Sequence, residues 1–223
     1  MRVILFGASG MIGQGVLREC LLDPETTEVL AVSRSPLGAS HPKLRELLHH
    51  DFTDFSGAAE ALRGYDACLY CLGVSAAGMT EQEYTRVTLT YTVAAAEVLV
   101  RVNPAMTFVF ISGAGTDSSE KGRVMWARVK GRAENVLLKM PFAGVYMFRP
   151  GLIQPRHGIR SRTRLYRVMY VVFGFLFPLF RLVAPRQVLT TESLGLAMIA
   201  AAKRGAPRTV LEAPDINALL TAT

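Results

Sequence analysis

A run of glycines between an apolar segment and a helical pattern limits the fold more than any other feature. RVILF at 2–6 is short, apolar and rich in β-branched residues, and GASGMIG at 7–13 follows it directly. From Met11 to Leu22 apolar residues recur at helical spacing, and EVLAVS at 28–33 is a second apolar run. A strand, a glycine turn, a helix and a second strand form one βαβ unit, in which the strands are parallel.

The same alternation continues along most of the chain. Further strands are predicted near Leu47–Phe52 and at 66–73, 105–113 and 143–151, and further helices at 56–64, 80–102, 125–140, 190–205 and 215–222. Apolar strands that alternate with helices indicate a parallel sheet covered on both faces. We therefore predict an α/β protein with a doubly wound, mostly parallel sheet and a small C-terminal helical portion. We expect one domain over 1–223, with 151–223 as a small substrate-side portion.

The glycine turn predicts a phosphate site. Unpaired backbone N–H groups meet at the start of a helix, where the helix dipole adds partial positive charge. Glycines at these positions permit a tight turn, the approach of a pyrophosphate and close packing of helix on sheet, in that order. The spacing inside a βαβ unit is typical of dinucleotide binding, and the alternative is a tight turn without a ligand. The predicted contacts are Gly7, Ser9, Gly10, Met11, Ile12 and Gly13.

The end of the second strand indicates which dinucleotide binds. An NAD site usually has Asp or Glu here for the ribose 2′-hydroxyl, whereas an NADP site has Arg for the 2′-phosphate. This chain has Ser33 and Arg34, with no carboxylate until Glu46. A guanidinium binds phosphate through two hydrogen bonds. We therefore predict NADP(H) rather than NAD(H); the alternative is that Arg34 is a solvated loop residue.

Composition excludes several classes of function. The formal net charge is +7, which suits an anionic partner, but no nucleic-acid-binding motif is present, so we expect no nucleic-acid partner. The cysteines Cys20, Cys68 and Cys71 form no disulfide framework, and the last two lie in an apolar run that predicts a buried strand rather than a redox pair. Four scattered histidines predict no metal site. The N-terminal apolar run is too short for a signal peptide, so we expect a cytoplasmic protein.

Motifs along most of the chain add a family resemblance. They are GASGMIG (7–13), SR (33–34), HDF (50–52), CLGVS (71–75), ISGAGTD (111–117), RVKGRAE (128–134), FRPG (148–151) and TTESLGLAM (190–198). With these motifs the sequence resembles the atypical, extended-type short-chain dehydrogenase/reductases, close to the Tat-interacting-protein-like oxidoreductases. The resemblance implies a Rossmann fold with NADP bound across the carboxyl ends of the strands.

The resemblance also implies roles for single residues. Asp51 and Phe52 would lie beside the adenine. Past the fourth strand, the cofactor would be followed by Leu72, Gly73 and Val74. The floor after the sixth strand would consist of Arg149, Pro150 and Gly151. Ser112 would lie beside the nicotinamide and hydrogen-bond the reacting oxygen. Lys130 would hold the nicotinamide ribose.

One catalytic position departs from the family. These enzymes use Tyr-x-x-x-Lys, in which the lysine lowers the phenol pKa so that tyrosine can give a proton to a carbonyl. Here Trp126 stands at the tyrosine position, and an indole N–H is no acid near neutral pH. Thr88 stands where a helical asparagine is common. A substrate-side acid, water or another residue such as Tyr84 would have to serve, or Trp126 stacks on the nicotinamide or simply packs in its helix.

The pattern changes between residues 156 and 183. Five arginines precede the apolar run at 168–180: Arg156, Arg160, Arg162, Arg164 and Arg167. The run has 13 residues, about 20 Å of helix, against roughly 30 Å of bilayer hydrocarbon, and Pro178 would kink it. We favour a helix over the substrate side of the crevice. Contact of 160–183 with a membrane surface or an acyl chain, and a homodimer interface, are the alternatives.

Two functions remain open at this point. The first is an NADPH-dependent reductase of a small apolar carbonyl substrate, with Ser112, Lys130 and Trp126 at the catalytic positions. The second is a non-catalytic NADP(H)-binding regulator or scaffold, which the tryptophan at the tyrosine position motivates.

Overall fold

A computed structural model describes residues 1–159 and 187–221. The strands are β1 Arg2–Phe6, β2 Glu28–Ser33, β3 Leu44–Leu48, β4 Ala67–Tyr70, β5 Thr107–Ile111, β6 Gly144–Arg149, β7 Leu152–Gln154, β8 Val188–Thr190 and β9 Val210–Glu212. The α-helices are α1 Met11–Leu22, α2 Glu81–Thr85, α3 Tyr91–Val102, α4 Met125–Leu137, α5 Thr191–Arg204 and α6 Ala213–Ala218.

Seven strands form one parallel sheet in the order β3-β2-β1-β4-β5-β6-β9, and β7 and β8 form a separate parallel pair. The chain moves outward from β1 to β3, then returns to β4 on the other side of β1. The crevice at this reversal, beyond the carboxyl ends of β1 and β4, is where open α/β sheets bind ligands. The predicted fold class, a doubly wound parallel Rossmann sheet, is confirmed.

Each face of the sheet has its own hydrophobic core, because successive strand residues point to opposite faces. Leu5 in β1 packs with residues of α1, α5 and α6, whereas Phe6 packs with residues of α3 and α4. Cys68 lies in the second core and Cys71 packs against the first. Both thiols are free, and burial raises the pKa of each. The two cysteines therefore lie in and beside a buried strand, as predicted, and face opposite sides of the sheet.

Helix α5 packs closely on α1 at two glycines. A Cβ at Gly15 would lie 2.7 Å from the Thr191 Cβ, and one at Gly195 would lie 3.2 Å from the Val16 Cα. Side chains at these positions would separate the two helices. Helix α5 is therefore part of the layer that holds the glycine turn in place.

The edge of the sheet opposite the crevice is tied together by one carboxylate. Glu28 accepts hydrogen bonds from the Tyr65 hydroxyl at 2.6 Å and from Arg2 at 3.1 Å, and Arg45 lies 3.5 Å away. The bond from Tyr65, followed by the pairing with Arg2, lowers the pKa of Glu28 below its ordinary value. Glu28 thus links β1, β2, β3 and the segment before β4.

Two predicted elements differ from the structure. The helix predicted at 56–64 is wrong: only Ser56–Ala58 form a single 3₁₀ turn. Asp54 accepts hydrogen bonds from the Ser56 amide and hydroxyl, and Gly64 has φ +79°, so local capping and a left-handed residue replace helical bonds. The third strand is Leu44–Leu48 rather than 47–52, because pairing with β2 fixes its register.

The long helix predicted at 80–102 is present, and the capping box between Thr80 and Glu83 is confirmed. Its middle, Arg86–Thr90, is a π-helical segment between α2 and α3. Such segments occur often at functional sites.

The arginines at 160, 162, 164 and 167, the apolar run and the proposed membrane contact through 160–183 lie outside the described residues. Over 1–159 and 187–221, no helix combines the length and apolar character needed to cross a bilayer.

Candidate dinucleotide and substrate site

The glycine turn lies at the carboxyl end of β1, directly beside the end of β4. Gly7 has φ +78°, a conformation that glycine adopts without strain. A Cβ at Gly7 would lie 2.6 Å from the Leu72 amide nitrogen and 2.7 Å from the Cys71 carbonyl oxygen. The absence of a side chain lets the two chain segments cross at the reversal of strand order.

Gly13 and Gly10 have different surroundings. A Cβ at Gly13 would lie 2.0 Å from the Gly7 carbonyl oxygen, so the helix sits against the turn with no room for a methyl group. At Gly10, the N-cap of α1, the one heavy atom near a Cβ is the Gly7 oxygen at 3.3 Å. Gly13 therefore serves packing, while Gly10 presents bare backbone to open space.

Three amides at the start of α1 have no acceptor in the described protein: those of Met11, Ile12 and Gly13. The Gly10 amide donates to Gly7 at 2.9 Å, and Gln14 donates back to Gly10 at 2.8 Å. No acidic side chain lies in this first turn. Free amides, the dipole and the open space at Gly10 fit a diphosphate.

The end of β2 supplies a free cation. Arg34 is exposed and has no hydrogen-bond or ion-pair partner within the described protein. The Ser33 hydroxyl donates to the Ser35 carbonyl at 2.7 Å. The Glu46 carboxylate accepts from the Leu37 amide at 2.8 Å, in the loop that follows Arg34. Arg34 is therefore available to an anionic ligand.

The predicted adenine residues lie after β3. The Asp51 carboxylate is exposed and accepts from the Thr53 amide at 2.9 Å and its hydroxyl, and these bonds hold the pKa of Asp51 below its usual value. The Phe52 ring is buried and makes edge contacts with Phe6 and Phe55. Phe52 can therefore offer a ligand its backbone but not its ring.

The segment after β4 follows the glycine turn, as the prediction requires. Leu72 passes over Gly7, and Gly73 and Val74 are exposed beyond it. Pro150 is buried after β6, and its carbonyl accepts from Ala114 at 3.0 Å. This contact joins the segment after β6 to the segment after β5.

Ser112 and Lys130 are in contact, but through the serine backbone. Lys130 donates from its ammonium to the Ser112 carbonyl. The Ser112 hydroxyl is buried and donates to the Phe148 carbonyl of β6 at 3.1 Å. A catalytic role for this hydroxyl stays a prediction, and it requires the hydroxyl to turn away from Phe148.

Lys130 lies on α4, and its pKa is shifted from the ordinary value for lysine. Desolvation lowers the pKa of Lys130 to about 8, although Glu134 one turn later acts in the opposite direction. Glu134 is buried and forms a two-point ion pair with Arg149, whose guanidinium nitrogen donates to it at 3.0 Å. The side chain of Arg149 also reaches Ser118 at 2.6 Å. Arg149 therefore ties β6 to α4 and to the loop before it.

Trp126 lies one helical turn before Lys130. Its ring edge is 3.6 Å from the position of a Cβ at Gly115, so the indole covers the loop after β5. The indole N–H has no hydrogen-bond acceptor in the described protein. Tyr84 is buried in α2, and the Thr88 hydroxyl in the π-helical segment is buried without a partner.

Sequence analysis missed two structural supports of this site. Gly131 has no room for a side chain, because a Cβ would lie 1.8 Å from the Asp117 carbonyl oxygen. The Glu134–Arg149 pair connects elements that are distant in sequence. A glycine inside a helical pattern was the available signal for the first, and no local pattern signals the second.

Among the described residues, no three His, Cys, Asp or Glu side chains gather in a way that could hold a metal ion. The parallel sheet, the glycine turn and the free amides of α1 define a dinucleotide-binding protein of the Rossmann class.

Comparison with known sequences gives the family. Residues 3–121 match the NAD dependent epimerase/dehydratase family. The chain belongs to this family, an NAD(P)-binding group related to the short-chain dehydrogenase/reductases, and the predicted resemblance is confirmed.

Two curated relatives match most of the chain. Protein HTATIP2 of Rattus norvegicus is 27% identical over 153 residues, which make up 68% of this chain and 62% of the rat protein. The chain thus spans less than two thirds of that relative's length. Protein fmp52-2, mitochondrial, of Aspergillus oryzae is 28% identical over 158 residues, covering 68% of this chain and 67% of the fungal protein.

Solved structures share the fold at low identity. The enzyme WbmF of Bordetella bronchiseptica, solved in complex with NAD+, superposes with a TM-score of 0.69 at 15% identity and covers 97% of this chain and 76% of its own. An oxidoreductase of the short chain dehydrogenase/reductase family from Burkholderia thailandensis superposes with a TM-score of 0.65 at 16% identity, and the match covers 100% of this chain and 93% of the Burkholderia chain.

Proposed function

We propose that this protein binds NADP(H) and reduces a small, apolar carbonyl compound. The observation that carries the proposal is a set of donors at one edge of the sheet. The amides of Met11, Ile12 and Gly13 and the guanidinium of Arg34 have no partner within the described residues. The ammonium of Lys130 donates one hydrogen bond to the Ser112 carbonyl and has further N–H groups to offer. These donors come from separate segments of the chain, and the parallel topology brings them to the carboxyl ends of the strands.

Each donor has a distinct place along such a cofactor. The α1 amides would bind the diphosphate, and Arg34 would bind the phosphate on the adenine ribose. Lys130 would hold the nicotinamide ribose from α4. When bound, the reduced cofactor supplies a hydride, and the protein supplies position, charge and exclusion of water.

The preference for NADP(H) is supported by the charges after β2. The free cation is Arg34, and the nearby carboxylate of Glu46 already accepts from the Leu37 amide. A cation without a competing carboxylate favours a phosphate over a hydroxyl pair. The Bordetella enzyme with the same fold was solved with NAD+, so NAD(H) is the comparison that the experiment must include.

We expect an apolar substrate because the segments that follow β4 and β5 carry apolar side chains that are exposed or cover a loop. Val74 after β4 and Val124 before α4 are exposed, and the Trp126 ring covers the loop after β5. Exposed apolar side chains at a crevice gain stability when an apolar ligand covers them.

Titration calorimetry with NADPH and NADH tests the cofactor assignment. We expect NADPH to bind more tightly, and Arg34→Ala to weaken NADPH by about 10- to 100-fold, since a charged hydrogen-bonded contact contributes about 1.5–3 kcal/mol. NADH affinity should barely change. Arg101→Ala is the matched control, because Arg101 is an exposed arginine in the last turn of α3, which leads to the opposite edge of the sheet. If Arg34→Ala lowers the affinity for NADPH and NADH equally, or lowers neither, the assignment is refuted.

A second candidate function is a protein that binds NADP(H) without turnover. Trp126 favours it, because its indole cannot supply a proton. Oxidation of NADPH by a panel of aldehydes, ketones and quinones separates the two candidates. Turnover by the native protein supports the reductase. Turnover that begins only in Trp126→Tyr supports a binding protein descended from an enzyme.

A further inference from the structure

We propose that the Lys130 ammonium is itself the proton donor to the substrate, and that the substrate carbonyl lies in the open space beside Gly113. This inference rests on the proposed reductase function and assigns that reaction a proton donor and a substrate position.

The space beside Gly113 borders Lys130 directly. If Gly113 had a Cβ, the Lys130 Nζ, at 3.8 Å, would be the only heavy atom of residues 1–159 and 187–221 within 4 Å of it. Gly113 lies two residues after the end of β5, on the edge of the sheet where the glycine turn also lies. A carbonyl oxygen in this space would be within reach of the ammonium.

The neighbouring groups that could otherwise donate are engaged or not acidic. The Ser112 hydroxyl points into the protein and donates to Phe148. The Trp126 indole covers Gly115 and cannot release a proton near neutral pH. Lys130 borders the open space, and its ammonium has three N–H groups, of which one donates to the Ser112 carbonyl.

The charges around Lys130 suit proton transfer. Among the described residues, Glu134 is the charged group that acts on it, and Glu134 is already paired with Arg149. No carboxylate is therefore free to hold the ammonium in an ion pair, and desolvation brings its pKa to about 8. An acid with a pKa near the working pH is an effective proton donor.

The step balances without another reagent. When bound, the reduced cofactor would supply the hydride that adds to the carbonyl carbon. The Lys130 Nζ would give its proton to the carbonyl oxygen as the C=O π bond opens. The products are an alcohol, the oxidised nicotinamide and a neutral amine. Water then returns a proton to Lys130.

Lys130→Arg separates proton donation from charge. Arginine keeps the positive charge and the hydrogen bonds to the ribose, but its pKa lies so far above neutral pH that it does not release a proton there. We expect kcat to fall about 100-fold or more, since general acid catalysis contributes about 10²–10⁴, while the NADPH dissociation constant changes less than about threefold. Adding Trp126→Tyr should restore much of the kcat, because a tyrosine can donate in its place.

Gly113→Ala tests the substrate position. Its φ is not in the left-handed region and a methyl group would make an ordinary contact at 3.8 Å, so the fold should persist. We expect kcat/KM for the carbonyl to fall about tenfold or more with NADPH binding unchanged, because small displacements of reacting atoms are costly. Gly57→Ala is the matched control, since no heavy atom of the part of the chain that the structure describes lies within 4 Å of its added Cβ.

A titration provides a readout that does not depend on turnover. The chain has five lysines, so ¹³Cε-lysine NMR of the native protein and of Lys130→Arg assigns the Lys130 signal by its absence. We expect that signal to titrate near pH 8 in the cofactor-free protein. A Lys130 pKa of 10 or above would overturn the inference.

The outcomes distinguish the inference from the proposed function. If the native protein reduces carbonyls and Lys130→Arg keeps its kcat, the proton donor is another group and only the inference fails. If the native protein binds NADPH but reduces no carbonyl, the reductase function fails and the inference fails with it. A folded Lys130→Arg protein that loses NADPH affinity and kcat together shows a lysine that only holds the cofactor, which also overturns the inference.

Discussion

The contrast between Gly13 and Gly10 gives the sharpest prediction about how this fold holds its ligand. In an ordinary helix, glycine to alanine adds about 1 kcal/mol of stability through helix propensity. In this protein a Cβ at Gly13 would lie 2.0 Å from the Gly7 oxygen and 2.6 Å from its carbonyl carbon. The obstacle is backbone, so the turn or the helix must move by about 1 Å, and the cost lies near the upper end of the 1–3 kcal/mol typical of overpacking.

The net effect follows from these two contributions. About 3 kcal/mol of overpacking less about 1 kcal/mol of propensity leaves Gly13→Ala about 2 kcal/mol less stable than the native protein. For a chain of this length that loss lowers Tm by roughly 4–8 °C. Gly10→Ala should change Tm by only about 2 °C, because its φ of −79° and ψ of 167° are accessible to alanine and nothing closer than 3.3 Å opposes the methyl group.

Cofactor binding should show the opposite order, with Gly10→Ala losing more affinity than Gly13→Ala. Gly10→Ala would place a methyl group where we propose that the diphosphate approaches, so NADPH affinity should fall about tenfold or more in a protein that is still folded. Urea unfolding with thermal melts measures stability, and calorimetry measures binding. The reasoning is refuted if Gly13→Ala is as stable as the native protein, or if Gly10→Ala binds NADPH normally.

Two further predictions concern the supports of the site, and a third concerns the opposite edge of the sheet. Gly131→Ala should lower the free energy of unfolding, measured in urea, by about 2 kcal/mol or more, because its Cβ would lie 1.8 Å from a backbone oxygen. A free energy of unfolding equal to that of the native protein would contradict this prediction. Glu134→Gln should lower the free energy of unfolding by about 3 kcal/mol, because it removes the buried counter-charge of Arg149 and leaves the more exposed Glu212 carboxylate, 3.4 Å away, to pair with it. Additional loss in a Glu134→Gln, Arg149→Met double variant would count against this prediction. The pKa of Glu28 is lowered in the folded protein, so its contribution is present above the ordinary value of 4.5 and is lost as pH falls below it. Native stability should therefore fall more steeply below pH 4.5 than that of Glu28→Gln, and parallel curves would exclude the effect.

Local patterns were sufficient to predict the first βαβ unit and most of the sheet. The strand at 28–33 and the helix at 11–22 match their predicted bounds because apolar periodicity and the glycine turn agree there. The segment 56–64 shows the limit of propensity. Its alanines favour a helix, but side-chain capping by Asp54 and the left-handed Gly64 give a short turn instead.

The candidate site was predictable where it depends on one segment and not where it depends on several. The sequence indicates the glycine turn, Arg34 and Lys130, because each belongs to a local motif. It could not show that the Ser112 hydroxyl would donate to Phe148, because that bond depends on the neighbouring strand. The open space beside Gly113 likewise depends on where Lys130 reaches from another element.

The close packing of α5 on α1 has a consequence for biosynthesis. The helix that begins with the glycine turn is synthesised long before its partner at 191–204. Contacts so far apart in sequence form slowly, and until they do the apolar side of α1 is exposed to aggregation or to chaperones. A nascent chain that stops before residue 191 should therefore lack the packing of α5 on α1, and its nucleotide site should be incompletely folded.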